Sequence, residues 1–89
     1  MITKLKHKKV HFKSNPENWN KENSGRKRNT VRKRNPNEPN DERFDILDDW
    51  IAGKEELLRV EIENTKTGEC FTQLASDVTK WEGIYIISW

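Results

Sequence analysis

The sequence predicts one small α+β domain: a mixed or antiparallel sheet, strongly curved or closed into a β-barrel, with one or two short helices. Three observations carry that expectation. Polar and apolar residues alternate over residues 8–13 and again over 58–63, the period of a strand with one wet face. Ile46, Leu47, Trp50 and Ile51 instead recur at helical spacing. The chain of 89 residues has no room for a second core, because a domain takes roughly 150.

The elements follow in chain order. Val10 and Phe12 are the inward pair of the first strand. Asn15-Pro16 then opens a short helix, with Asn15 as its cap and Pro16 at the first helical position, where a missing N–H costs nothing. Gly25 stops that helix. Asn18, Asn20 and Asn23 are poor helix formers, so the helix needs tertiary support. Thr30 and Val31 suggest a short strand inside the charged stretch 26–34. Residues 35–40 hold two prolines and three asparagines and read as a loop. A helix is expected near 42–52, started by Asp41 or Asp45 and stopped by Gly53. The strand at 58–63 continues through a connection at 64–68, where Gly68 supplies the left-handed residue, into a partner strand at 69–74. Residues 83–89 are apolar on both faces and predict a strand buried on both sides. Closing the sheet would remove edges that so few apolar residues leave unprotected.

Composition explains why those edges matter. Apolar residues make up 31% of the chain and charged residues 36%, against about 45–50% and 25% in an average domain. The net charge of +2 hides a split. Residues 1–43 carry thirteen Lys or Arg and five acids, or +8; residues 44–89 carry four and ten, or −6. Apolar residues divide seven against twenty-one. A basic, apolar-poor half of this kind points to a polyanionic partner. Residues 1–6 are expected to be a flexible end.

Other classes are excluded. No apolar run approaches the roughly 20 residues of a membrane span, and the basic start lacks the apolar stretch of a secretory signal. With one cysteine there is no internal disulfide, so a cytoplasmic protein is expected. Cys70 reads as a small buried or half-buried thiol. His7 and His11 have metal-ligand spacing on a helix, but they lie among lysines with no acid close in sequence and read as surface groups on a basic strand. No metal or cofactor is expected.

The informative stretch is Gly25-Arg26-Lys27-Arg28-Asn29-Thr30-Val31-Arg32. It follows a helix stop and opens a strand. In this setting it resembles the signature of the ASCH family, a branch of the PUA-like β-barrels, which reads G-x-K-x-x-E-x-R. Gly25, Lys27 and Arg32 match, and Thr30 replaces the Glu. The version found in bacterial N4-acetylcytidine amidohydrolases reads G-R-K-x-x-T-x-R, and Gly25, Arg26, Lys27, Thr30 and Arg32 all match it. The resemblance covers about residues 7–34; the remainder carries no motif of its own.

Gly25 is the structural residue of this motif, permitting the turn that delivers its neighbours to a cleft. In a regular strand Arg26, Arg28, Thr30 and Arg32 share a face and Lys27 points away, so Lys27 and Thr30 meet only across a bend. For binding, Arg32 offers a planar fork to phosphate or a base edge and Lys27 a point charge. Arg26, Arg28, Lys33 and Arg34 extend the field, joined by His11 and Lys13 from the first strand. Trp19 is either a lid over the small core or a stacking platform for an unpaired base. The bland reading of the basic run is a solvated face or flexible arm.

For catalysis, the resemblance implies Thr30 as nucleophile or water-orienting group and Lys27 as its base. A lysine base requires burial or neighbouring cations, and Arg26, Arg28 and Arg32 are neighbours of that kind. The resemblance also implies a carboxylate further along the chain. Glu61, Glu63, Glu69 and Glu82 qualify by type only, and each is equally an outward strand or turn residue.

Three function classes follow. The leading expectation is a small domain that binds RNA or single-stranded nucleic acid in a basic cleft beside the motif. The second is an amidohydrolase of an acylated cytidine, a modified nucleoside, using Lys27 and Thr30. The third is an interaction or inhibitor protein of the small, highly charged kind that phages carry, with the acidic half meeting a protein partner.

Overall fold

A computed structural model describes residues 7–54 and 57–89; the expected flexible end at 1–6 lies outside them. The element order is β1 (His7–Ser14), α1 (Pro16–Asn23), β2 (Asn29–Lys33), α2 (Glu42–Ile51), β3 (Leu57–Asn64), β4 (Cys70–Leu74), β5 (Asp77–Trp81) and β6 (Ile84–Ser88). The strands form two three-stranded sheets, ordered β1-β3-β4 and β2-β6-β5. β1 runs parallel to β3, and every other pairing is antiparallel.

Neither sheet closes into a barrel, contrary to one form of the expectation. The chain leaves the first sheet and enters the second at Ala75-Ser76. There the Ala75 N–H donates to Leu58 O and the Ser76 N–H to Ser88 O, each at 2.8 Å. The first bond continues the β3–β4 register by one residue and the second ties the next residue to β6, so adjacent residues are held by different sheets. Of the edge strands, β1 packs against both helices and β5 against α2.

Alternation decides the core. In β1 and β3 the register sets Val10 beside Val60 and Phe12 beside Ile62, and all four are buried. In the second sheet Thr30, Ile87 and Val78 form one buried row. Phe44 and Leu47 of α2 fill the space between, with Phe44 against Tyr85 and Phe12. Each such side chain contributes about 1.5–3 kcal/mol by leaving water. The Tyr85 hydroxyl donates to Asp48 Oδ1 at 2.8 Å, which also accepts from Lys80 at 3.2 Å.

Two expectations are corrected. The last strand is buried on one face only. Tyr85 and Ile87 point inward, while Ile86 is 40% exposed beside Val31 at 55%. Its apolar run reflects the central place of β6, not cover on both sides. Ile84, in the strand expected to be buried on both sides, is half-buried, and so is Phe71 of β4. The element β5 was not anticipated. Among its five residues only Val78 is buried, so its inward face leaves almost no pattern. A two-residue turn, Glu82-Gly83, joins it to β6 with both φ angles positive (48° and 78°).

The candidate nucleotide cleft

The helix α1 and its exit build the site. Asn15 caps the helix by accepting from the Asn18 N–H at 2.8 Å, and Pro16 follows at the first helical position. The helix ends at Ser24. Gly25 then takes φ +80°, and the Lys27 N–H returns to Lys21 O at 3.0 Å. This reversal bends the chain just ahead of β2. Lys27 lies in the turn, ahead of β2, so strand alternation does not separate it from Thr30.

The result is a polar cleft of about 250 Å³ between β1, α1 and β2. It is lined by Lys13, Ser14 and Asn15, by Asn18 and Glu22 of α1, and by Lys27, Thr30, Val31 and Arg32. That size approaches the lower end of small-molecule sites, roughly 300–1,000 Å³, and suits a single planar group.

Arg32 is the frame of the cleft. Its Nε donates to Thr30 Oγ1 at 2.9 Å, one Nη to Lys13 O at 2.7 Å and the other to Ser14 Oγ at 2.8 Å. Its guanidinium also lies 5.0 Å from the Phe12 ring centre. Burial lowers its pKa, opposed by the charge of Glu22, with Arg43 lowering it further. The fork expected to meet a ligand is thus largely spent on β1 and Thr30. Thr30 is 2% exposed, and its oxygen accepts from Arg32.

Glu22 is the residue that reasoning from sequence passed over. It is 1% exposed, and no donor among the described residues reaches either carboxylate oxygen. A buried polar group left unpaired costs about 1–3 kcal/mol, and more when charged. The signal was present: Glu22 lies three residues after Trp19, the only large apolar group of α1, and therefore on the same helix face. The carboxylates nominated instead are engaged elsewhere or lie outside the cleft. Glu61 and Glu63 bond the two nitrogens of His11 at 2.7 and 3.2 Å.

That pairing corrects the reading of His11. No acid lies near it in sequence, but the parallel neighbour β3 brings two, and Glu61 also meets Lys9 at 3.4 Å. The hydrogen bond from His11, with help from Lys9, holds the Glu61 carboxyl below its ordinary range. Two further residues turn away from the cleft, Trp19 in the first of its two expected roles. The Trp19 indole is 6% exposed, donates to Ile62 O at 2.9 Å and packs edge-on against Phe71, so it is a core lid and not a stacking surface. Arg34 turns to α2, pairing with Asp45 at 3.0 Å and donating to Pro39 O at 2.8 Å.

Five predicted cations stay available. Lys13, Arg26, Lys27, Arg28 and Lys33 form no ion pair among the described residues. All but the half-buried Lys27 are exposed. Cys70 is exposed, not buried as expected; partial desolvation and the charges of Glu61 and Glu63 raise its pKa and keep it a thiol. Among the described residues no group of three or more His, Cys, Asp or Glu is placed to hold a metal ion, and no helix is long and apolar enough to cross a membrane.

No family model matches the chain, and neither does any curated protein or solved structure.

Proposed function

We propose that this chain is a small ASCH-like, PUA-related module that binds RNA or single-stranded nucleic acid, seating one unpaired nucleotide in the Lys13–Arg32 cleft. The observation that carries the reading is the set of five cations without ion-pair partners among the described residues, two lining one polar cleft and three beside it in the chain. Each serves phosphate, while the cleft admits a single base and is too small for a duplex. Arg32 acts from behind, by fixing Ser14, Thr30 and the backbone of Lys13.

Fluorescence anisotropy with a labelled single-stranded RNA tests this. Binding is expected at low salt, with log affinity falling linearly with log salt. Replacing Arg26 and Arg28 by Gln lowers the slope by about 0.7 for each phosphate of a single strand that is no longer neutralised. Absence of binding at low salt rejects the proposal.

One observation favours a second reading, an amidohydrolase of N4-acetylcytidine. Lys27, Thr30 and the Glu22 carboxylate line the same cleft. Here water adds to the acyl carbon as Lys27 takes its proton; the acyl C–N4 bond then breaks, the proton passes from Lys27 to N4, and acetate and cytidine leave, or Thr30 Oγ1 adds first, cytidine leaves in the same way, and water hydrolyses the resulting ester to acetate. Purified protein that leaves N4-acetylcytidine intact disposes of it.

A further inference from the structure

We infer that Glu22 makes the cleft selective for guanine, an assignment that rests on the nucleic-acid reading above. The carboxylate offers two neighbouring acceptor oxygens, both sealed from solvent and both without a protein donor among the described residues. An ionised carboxylate accepts and never donates. The partner it selects therefore presents two adjacent N–H donors.

Among the four RNA bases, the Watson–Crick edge of guanine alone has that form: the ring N–H beside the exocyclic amine. Next to them guanine carries a carbonyl oxygen, an acceptor. Lys27 and Asn18, on the same cleft, supply donors of the kind that oxygen needs. Adenine and cytosine each set an amine beside a ring acceptor, which meets a carboxylate oxygen with repulsion. Uracil offers one ring N–H between two carbonyls. The charge of Glu22 is felt at Arg32, where it opposes the lowering caused by burial.

Stability and recognition are then opposed at one residue. A carboxylate kept unpaired burdens the free protein and is satisfied by the bound base. A side chain with a purely structural role would not behave in this way, because its removal would weaken the fold.

The test uses the full chain with labelled oligo-uridine RNAs that differ only in a central guanosine, inosine, adenosine or cytidine. Inosine keeps the ring N–H and the carbonyl and lacks the amine. Guanosine is expected to bind tightest and inosine about tenfold or more weaker, the range of one bidentate base contact. Glu22→Gln should bring the guanosine-to-inosine affinity ratio to about one and raise Tm. Equal affinity for guanosine and inosine, or an unchanged guanosine preference in Glu22→Gln, overturns the inference while the nucleic-acid reading stands. No binding of any of the four at low salt removes both.

Discussion

Two arginines meet the same ring and hold different parts of the molecule. Arg32 and Arg43 lie 5.0 and 4.6 Å from the centre of Phe12. Arg32 organises the cleft, whereas Arg43 joins α2 to β1 by donating to His11 O at 3.1 Å. Arg43 is itself held by Asp41, whose carboxylate takes its Nε at 2.9 Å and its Nη2 at 2.6 Å and caps α2 through the Arg43 N–H at 3.2 Å. These bonds, the side-chain pair first, hold the Asp41 carboxyl below its ordinary value. A depressed carboxyl binds fewer protons folded than unfolded at acid pH. Its stabilisation is full above about pH 4 and is lost as pH falls through the lowered value. Glu61 acts in the same direction. Asp41→Asn keeps a good capping side chain but removes the titrating charge. Urea melts across pH 2–6 should show a flatter acid limb for the variant, with the smaller stability difference at the acid end; parallel curves would show that the pair is not titrating.

At the scale of elements, the turn after α1 matters most. Gly25 has φ +80°, and nothing lies within 4 Å of the place where a Cβ would stand. Gly25→Ala therefore meets backbone strain alone and should cost about 1–2 kcal/mol. Gly25→Asn should cost less, because Asn tolerates the left-handed region. Denaturant melts check both, and equal losses for Ala and Asn would contradict the conformational explanation. This turn was legible from sequence because Asn15-Pro16 and Gly25 mark both ends of the helix by local chemistry. The helix at 42–51 and the paired strands β3 and β4 were legible for the same reason, through Asp41, Gly53 and Gly68. What stayed hidden depends on distant partners. β5 has one inward apolar residue and becomes a strand through β6. Glu61 and Glu63 reach His11 only because β1 and β3 run parallel, and Glu22 is buried only because Trp19 beside it packs on β3.

For the whole molecule, the charge division takes a different meaning from that of a basic arm on an acidic core. Part of it is cancelled internally: Lys9 against Glu61 of β3, Arg34 against Asp45 and Asp48 of α2. Of the basic residues without an ion pair among the described residues, Lys13 and Lys27 line the cleft, and Arg26, Arg28 and Lys33 lie beside its lining residues in the chain. The acidic half also supplies most of the apolar core, with Leu58, Val60, Ile62, Val78, Tyr85 and Ile87 buried.

The parallel pairing of β1 with β3 has a consequence for the timing of assembly. The residues that line the cleft all fall between Lys13 and Arg32, yet α1 is anchored at Ile62 and β2 pairs with Ile84–Ser88. A ribosome delivers the entire basic segment before either anchor exists. Contacts that span half the chain form late, because loop closure precedes their reward. On the function proposed above, attraction to polyanions would be present in the nascent chain, and discrimination among bases would arrive only with the last strand. A peptide of residues 1–43 should bind RNA in a salt-dependent manner with no preference among central bases, whereas the full chain discriminates. A peptide as selective as the full chain would mean that the cleft does not depend on the two sheets.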